Sequence, residues 1–282
     1  MDHRRMILCA GLQNSGSTLV SWCFLQRRDT NGVLDMPSDV VRTVFDRAKE
    51  PVLWCKMTIA SFRWLDLFEL YGDLGFNPEP FLIIRDTRTT YAALMKKSYG
   101  VNGTTAEDPP LRMRFRRFYQ DWQLFKENGW PILKYEDFIE KEDGLKEICL
   151  KIPLSWDESM ISWPKKSADI AYVGKLNRTF AASMDKGSLR DAKLKTKAQI
   201  LIAGLPKSEL VWLEDTFCEF NECHQYPKNV EYPEGDEHPE SLSKPRFVGT
   251  ARAWVYEELV KYRRENYELR SENKKLQGRN NE

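Results

Sequence analysis

Histidine is scarce in this chain: only His3, His224 and His238 occur among 282 residues. This scarcity argues against a metal site and against a catalytic triad built on histidine, and we expect no metal. Cysteine pairs of the C-x-x-C type are also missing. The cysteines are scattered, mostly within apolar runs, which predicts reduced thiols in the core. They are Cys9, Cys23, Cys55, Cys149, Cys218 and Cys223.

The chain also lacks an excess of either charge and a long apolar run. Its 43 Lys and Arg residues against 42 Asp and Glu residues give a net charge of +1, which provides no overall attraction to nucleic acid or anionic membranes. No segment approaches the roughly 20 apolar residues of a membrane span, and the first apolar run is too short for a secretory signal. With 41% hydrophobic and 30% charged residues, the composition indicates a globular protein, and without a predicted signal or membrane span we expect it to be cytoplasmic.

Four short, almost continuously apolar runs are present, and they indicate strands that are buried on both faces. These runs are 6–10, 51–57, 80–86 and 130–136. Helical patterns lie between them, and the pattern over 60–72 is expected to end at Gly72 as a C-terminal cap. Strands that alternate with helices predict an α/β fold, with a parallel sheet flanked by helices.

The pattern changes in the last third of the chain. Two helical segments precede a stretch over 223–250 that contains repeated prolines and few apolar residues, which is typical of an extended linker. We therefore predict an α/β domain over 1–222, a Pro-rich linker over 223–250 and a coiled-coil helix over 251–282.

The coiled-coil prediction depends on a heptad pattern over 255–277. The d positions are Val255, Tyr262, Leu269 and Leu276. The a positions are Leu259, Asn266 and Asn273. Asparagine at a positions selects parallel, in-register dimers, so the pattern predicts a parallel homodimer, with a single helix folded back on the domain as the alternative. No dense basic region precedes the heptads, which argues against a DNA-binding zipper.

The segment GLQNSGSTLV, residues 11–20, nearly matches the phosphate-binding loop G-x-x-x-x-G-K-[ST]. Ser17 stands where that motif has its lysine, which normally reaches the terminal phosphates of a nucleoside triphosphate. A loop between a strand and a helix still offers backbone N–H groups and a helix dipole to an anion. One alternative is an ordinary Gly/Ser turn that caps a helix. The other is a Walker-type nucleoside triphosphatase, which needs the missing lysine.

In this segment the chain resembles the sulfotransferases that use 3′-phosphoadenosine 5′-phosphosulfate (PAPS), whose 5′-phosphosulfate loop resembles a phosphate-binding loop without its lysine. The residues that match its core are Ser15, Gly16, Ser17 and Thr18. Arg85, in IIRDTR, matches the arginine that binds the 3′-phosphate, although pairing with Asp86 is an alternative. The segment 132–138, ILKYEDF, resembles a third family motif whose acidic residues act mainly in structure. The matches span roughly 6–140 in family order.

The sequence also departs from that family at the positions that carry catalysis. Asn14 stands where many members have a cation, so the resemblance assigns it to cofactor binding without a charge. Ala93 replaces the 3′-phosphate serine, for which Ser98 is the nearest substitute. Lys56 is present in the second strand motif, but Thr58 replaces its catalytic histidine.

Lys56 can stabilise the leaving phosphate, or else it is a strand-end side chain that reaches solvent. Some relatives use a carboxylate as the general base, and here the candidates are Asp35 and Asp39, either of which can instead cap a helix. The resemblance implies a sulfotransferase that sulfonates a hydroxyl on a carbohydrate or small molecule. The alternatives are a nucleotide-binding protein of this fold without turnover, a P-loop small-molecule kinase and a dimeric adaptor.

Overall fold

A computed structural model describes residues 4–35, 47–60, 63–73, 75–95, 110–141, 143–193 and 205–227. The predictions for Asp39, Ser98, most of the linker and the coiled coil lie outside these residues. The described part contains six strands. They are β1 (Arg5–Gly11), β2 (Thr30–Leu34), β3 (Val52–Thr58), β4 (Pro78–Ile84), β5 (Ile132–Lys134) and β6 (Tyr172–Val173).

The α-helices described alongside these strands are mostly short. The first five are α1 (Ser17–Leu25), α2 (Trp64–Asp73), α3 (Thr87–Leu94), α4 (Pro110–Glu127) and α5 (Tyr135–Glu140). The later ones are α6 (Gly144–Lys151), α7 (Ser159–Ser162), α8 (Arg178–Met184), α9 (Lys207–Thr216) and α10 (Cys218–Cys223). In the part of the chain that the structure describes, no helix has both the length and the low polarity needed to cross a bilayer.

The strands form one sheet in the order β5-β4-β1-β3-β2-β6. Every neighbouring pair is parallel. This arrangement confirms the predicted α/β fold with a parallel sheet flanked by helices. Because the strands are parallel, their carboxyl ends meet at one edge, where the loops that carry the site residues lie together.

Two apolar layers cover the sheet, and β1 contributes alternate residues to each. Ile7 and Cys9 pack in the layer that contains α1, α5 and α6. Met6, Leu8 and Ala10 pack in the layer that contains α2, α4 and α10. Both faces of the central strand are therefore buried, which is why its sequence is apolar without alternation.

The structure corrects three details of the sequence-based prediction. Strands β2 and β6 have no counterpart among the four predicted runs. Helix α2 continues past Gly72 to Asp73, and the left-handed glycine that follows it is Gly75, with φ of 87°. Cys218 and Cys223 are exposed, whereas the other four cysteines are buried free thiols.

Candidate functional site

The loop between β1 and α1 forms the centre of the site. Asn14 and Gly16 adopt positive φ values of 67° and 85°, and the Ser15 N–H donates to the Leu12 carbonyl at 3.0 Å. Helix α1 begins at Ser17, as predicted. The Leu19 N–H donates to the Gly16 carbonyl at 3.0 Å, whereas the N–H groups that precede it have no acceptor inside an α-helix and present the positive end of the helix dipole to the loop. The loop can therefore hold an anion without a lysine.

Two glycines allow this loop to close tightly. A Cβ atom on Gly16 would lie 2.1 Å from the Tyr135 ring, and one on Gly11 would lie 2.6 Å from Ser15 Oγ. Since Gly16 also has a positive φ, another residue there would strain the loop. Ser15 Oγ is buried and has no hydrogen-bond partner among the described residues, so its hydroxyl retains the capacity to bind a ligand oxygen.

Arg85 follows β4 directly and contacts the same loop. Its Nη1 donates to the Asn14 carbonyl at 3.1 Å, and its guanidinium lies 5.3 Å from the centre of the Tyr135 ring. Asp86 does not pair with it: its carboxylate caps α3 by accepting from the N–H groups of Arg88 and Thr89, and it also binds the Arg88 side chain. Among the described residues no carboxylate pairs with Arg85, so the alternative pairing with Asp86 is not observed.

The sheet topology explains why the loop after β1 and Arg85 meet. The connection from β1 leads past β3 to β2, whereas the connection from β4 leads in the opposite direction to β5. A crevice forms where two neighbouring strands send their connections to opposite sides, and ligands of open α/β sheets bind there. The crevice in this chain lies between β1 and β4, with the glycine loop on one side and Arg85 on the other.

The two predicted catalytic residues that the structure describes, Asp35 and Lys56, are in direct contact. Lys56 Nζ donates to Asp35 Oδ1 at 2.9 Å and to Thr58 Oγ1 at 2.9 Å. The Thr58 hydroxyl lies 3.0 Å from Asp35 Oδ1, and Asn177 Nδ2 donates to Asp35 Oδ2 at 2.8 Å. Only 4% of the Lys56 side chain is exposed, so it does not reach into solvent as the alternative proposed. We call these four residues the carboxylate cluster.

The carboxylate cluster lies one strand away from the glycine loop, because Thr58 is the register partner of Gly11. Burial raises the pKa of Asp35, but the charge of Lys56 and the three hydrogen bonds lower it more, so the pKa lies below the ordinary carboxyl value. Asp35 is therefore ionised at neutral pH, and its charge is balanced by Lys56. Asp35 follows β2 directly and has a positive φ of 61°, which is uncommon for a residue with a side chain.

Sequence reasoning did not identify Asn177, and it gave Glu136 a structural role only, as part of the motif at 132–138. Asn177 lies 142 residues after Asp35, and no local pattern marks it. The Glu136 carboxylate accepts from the Asp86 N–H and the Tyr226 hydroxyl, both at 2.9 Å. It thereby fixes the backbone next to Arg85. The family motif at 132–138 is the one sequence signal for this support, and its tyrosine packs on Gly16.

The structure does not extend to every predicted site residue. Asp39 and Ser98, a candidate base and a candidate 3′-phosphate ligand, lie outside the described residues, and so does any contact that they make. Within the described ranges, no group of three or more His, Cys, Asp or Glu side chains is arranged to hold a metal ion.

Comparison with known proteins identifies the fold. No family model matches the chain, and no curated protein matches it by sequence. Among solved structures, the chain is similar to the sulfotransferase domain from the curacin biosynthetic pathway, with a TM-score of 0.53 and 12% sequence identity. The similarity covers 80% of this chain and 99% of that domain. The chain therefore has a P-loop-like α/β architecture, and within that class it has a sulfotransferase-like fold.

Proposed function

We propose that this protein is a sulfotransferase that moves a sulfonate group from PAPS to a hydroxyl of a carbohydrate or small molecule. The observation that supports this most directly is the contact between Arg85 and the lysine-free glycine loop at the crevice between β1 and β4. It combines an anion site made of backbone N–H groups with a guanidinium that no carboxylate neutralises among the described residues. A donor with phosphate groups at both the 5′ and 3′ positions requires two such sites.

The residues of the crevice fit the donor that we propose. The loop backbone, the buried Ser15 hydroxyl and the start of α1 would hold the 5′-phosphosulfate, because all of them are neutral donors between the end of β1 and the first turn of α1. Arg85 would hold the 3′-phosphate, since a guanidinium can bind two phosphate oxygens at once. Asn14 belongs to the same loop, and Ser17 and Thr18 begin α1; we assign all three to the donor as well.

The carboxylate cluster supplies the groups that the acceptor needs. We propose that Asp35 takes the proton of the acceptor hydroxyl as the general base, with Asp39 as the other candidate. Proton uptake neutralises Asp35, so the charge of Lys56 is no longer balanced by its partner at 2.9 Å. Lys56 lies on β3, which pairs with β1, the strand that leads into the glycine loop. When bound, PAPS supplies the sulfonate group, and its departing phosphate gains the negative charge that Lys56 would stabilise.

Transfer of labelled sulfonate tests this proposal directly. The full-length protein is incubated with ³⁵S-labelled PAPS and a panel of monosaccharides, phenols and primary alcohols, and the labelled products are separated. We expect the wild type to label at least one acceptor and Lys56→Met to lower kcat by about 10²–10³-fold. Lys126→Met, at a lysine on the surface of α4, is the matched control and should retain full activity. An unlabelled panel, or an undiminished Lys56→Met rate, would contradict the proposal.

One observation favours a second candidate function. Asp35 and Lys56 neutralise each other, while Asn14 and Thr58 stand where relatives carry a cation and a histidine. A protein of this fold that binds the donor and has lost turnover would retain the crevice and tolerate these replacements. Binding of adenosine 3′,5′-bisphosphate without labelled product from any acceptor would favour this candidate.

We further propose that the segment 255–277 forms a parallel homodimer through its heptads, with the α/β domains tethered by the Pro-rich linker. The support comes from the sequence alone, since the segment lies outside the described residues. Light scattering of the full-length protein should give the mass of a dimer, and truncation after residue 245 should give a monomer that retains its affinity for adenosine 3′,5′-bisphosphate. A full-length monomer at high micromolar concentration would contradict the dimer.

A further inference from the structure

The segment that follows β6 wraps closely around the end of β2. The Gly174 N–H donates to the Leu34 carbonyl at 2.7 Å. A Cβ atom on Gly174 would lie 2.2 Å from the Asp35 carbonyl oxygen, so only glycine permits this approach. A 3₁₀ turn over Lys175–Asn177 then begins, and the Asn177 N–H closes it on the Gly174 carbonyl at 2.8 Å. The turn places the Asn177 side chain against Asp35.

The hydrogen bonds of Asp35 differ between its two carboxylate oxygens. Oδ1 lies within hydrogen-bond distance of Lys56 Nζ and Thr58 Oγ1, whereas Oδ2 accepts from Asn177 Nδ2. An ionised carboxylate only accepts, so the amide nitrogen of Asn177 is the atom that faces it. Each carboxylate oxygen offers about two acceptor sites. Among the described residues, Asn177 is the one partner of Oδ2, which leaves that oxygen one acceptor site, and 25% of the Asp35 side chain is exposed.

We propose that Asn177 is a positioning residue that holds Asp35 Oδ2 toward the acceptor hydroxyl and keeps the carboxylate ionised until it takes the proton. This inference rests on the proposed function, in which Asp35 is the base. The charged group that faces Asp35 is Lys56 on β3; Thr58 and Asn177 provide neutral donors. Asn177 is itself buried, with 9% of its surface exposed, so its amide has little freedom to leave Asp35.

The variant Asn177→Asp tests the inference, because it keeps the shape of the side chain, removes the donor and places a second carboxylate against Asp35. The variant Asn128→Asp is the matched control, since the Asn128 amide binds the Leu124 carbonyl on the exposed side of α4. Three properties are measured for each: the ¹³C titration of the Asp35 carboxyl without ligand, the affinity for adenosine 3′,5′-bisphosphate, and the pH dependence of kcat with PAPS and the best acceptor of the panel. The Asp35 resonance is assigned by its loss in Asp35→Asn.

We expect Asn177→Asp to move the Asp35 titration and the acid limb of the kcat profile to higher pH. At pH 6 kcat should fall roughly tenfold, a part of the roughly 10²–10⁴-fold contribution of a general base. The affinity for adenosine 3′,5′-bisphosphate and the KM for PAPS should stay within about twofold, because the described contacts of Asn177 do not include the glycine loop or Arg85. Asn128→Asp should leave all three properties unchanged.

The outcomes separate this inference from the proposed function. An active wild type in which Asn177→Asp leaves both the Asp35 titration and the acid limb unchanged overturns the inference alone. A wild type that transfers no sulfonate overturns the inference together with the proposed function. If Asn177→Asp does not fold, Asn177→Ser replaces it, because its shorter side chain also withdraws the donor from Asp35 Oδ2.

Discussion

The two sides of the sheet edge use polar groups in opposite ways. The proposed donor side lies between β1 and β4. Among the described residues, Ser15 Oγ is buried there without a partner, and Arg85 contacts only a carbonyl oxygen and an aromatic face. On the acceptor side, at the ends of β2 and β3, Asp35, Lys56, Thr58 and Asn177 bind one another. The donor side retains the capacity to bind an anion, whereas the acceptor side is already neutral.

Under the proposed function, this difference indicates that one side binds the anionic donor and the other acts on the acceptor. A positive region that no carboxylate of the described residues neutralises attracts an anionic ligand in its ground state. A balanced ion pair exerts little net attraction, and it gains a net charge only when one member takes up or loses a proton. Substitutions on the donor side should therefore change affinity, and substitutions in the carboxylate cluster should change rate.

The largest effect is expected on kcat, when a substitution disrupts the carboxylate cluster. Asp35→Asn should lower kcat by about 10²-fold or more, because it removes the proposed base. The affinity for adenosine 3′,5′-bisphosphate should stay within about twofold of the wild type. Rate measurements and calorimetric titration of the same preparation check both parts. If Asp39→Asn abolishes activity and Asp35→Asn does not, the base is Asp39, and the proposed role of Asp35 is wrong.

The next effect breaks the donor side. Arg85→Ala should weaken adenosine 3′,5′-bisphosphate by about 1.5–3 kcal/mol, the value of a charge-assisted hydrogen bond. Adenosine 5′-phosphate should bind almost as before, since it lacks the 3′-phosphate. Arg85→Lys keeps the charge but loses the bidentate geometry, so its affinity for adenosine 3′,5′-bisphosphate should fall between those of the wild type and Arg85→Ala. Equal losses for both ligands in a titration would show that Arg85 acts on the loop and not on the 3′-phosphate.

The third effect concerns stability against acid. The pKa of Asp35 is lowered in the folded protein, so the stabilisation it provides is present above its unfolded value and is lost as pH falls through the folded value. At pH 7, Asp35→Asn should cost about 2–3 kcal/mol, less than the roughly 3–5 kcal/mol for a fully buried pair, because Asp35 is partly exposed. Urea unfolding should show this difference shrinking below about pH 4. A constant difference would argue against the ion pair.

The smallest effect is expected for histidine. His224 packs against Trp122 and Phe220, which belong to the apolar layer that contains α4 and α10. Its Nε2 accepts from Trp122 Nε1 at 2.8 Å, and burial lowers its pKa to about 4. His224→Gln should therefore change stability and leave kcat within about twofold of the wild type. His3→Ala and His238→Ala should behave in the same way. A histidine variant that loses 10²-fold or more in rate would replace the carboxylate as the candidate base.

Much of the sheet can be predicted from sequence, because its central strands are covered on both faces and are apolar throughout. Strand β2 could not, since its residues are buried for other reasons. The Asn31 amide binds the Asp169 carbonyl and the Ala171 N–H, and a Cβ atom on Gly32 would lie 2.0 Å from the Trp54 carbonyl oxygen. These contacts join distant segments, and no local apolar pattern marks them.

The two sides of the site also differ in how far apart in the sequence their residues lie. The glycine loop is local, so the spacing of Gly11 and Gly16 and the preceding strand are sufficient to predict where α1 begins. The carboxylate cluster joins β2, β3 and the turn after β6, and its contact between Asp35 and Asn177 spans 142 residues. The family resemblance selects Asp35 and Lys56 as separate candidates, but no pattern in the sequence predicts that they pair.

The thermal stability of the full-length protein with different nucleotides tests the central claim most directly. Melting temperatures are measured with equal concentrations of adenosine 3′,5′-bisphosphate, Mg-ATP and Mg-ADP. The account predicts that adenosine 3′,5′-bisphosphate stabilises the protein, by about 2.7 kcal/mol at 100 times its Kd, and that Mg-ATP and Mg-ADP do not. Equal or greater stabilisation by Mg-ATP would contradict the account and favour the kinase alternative.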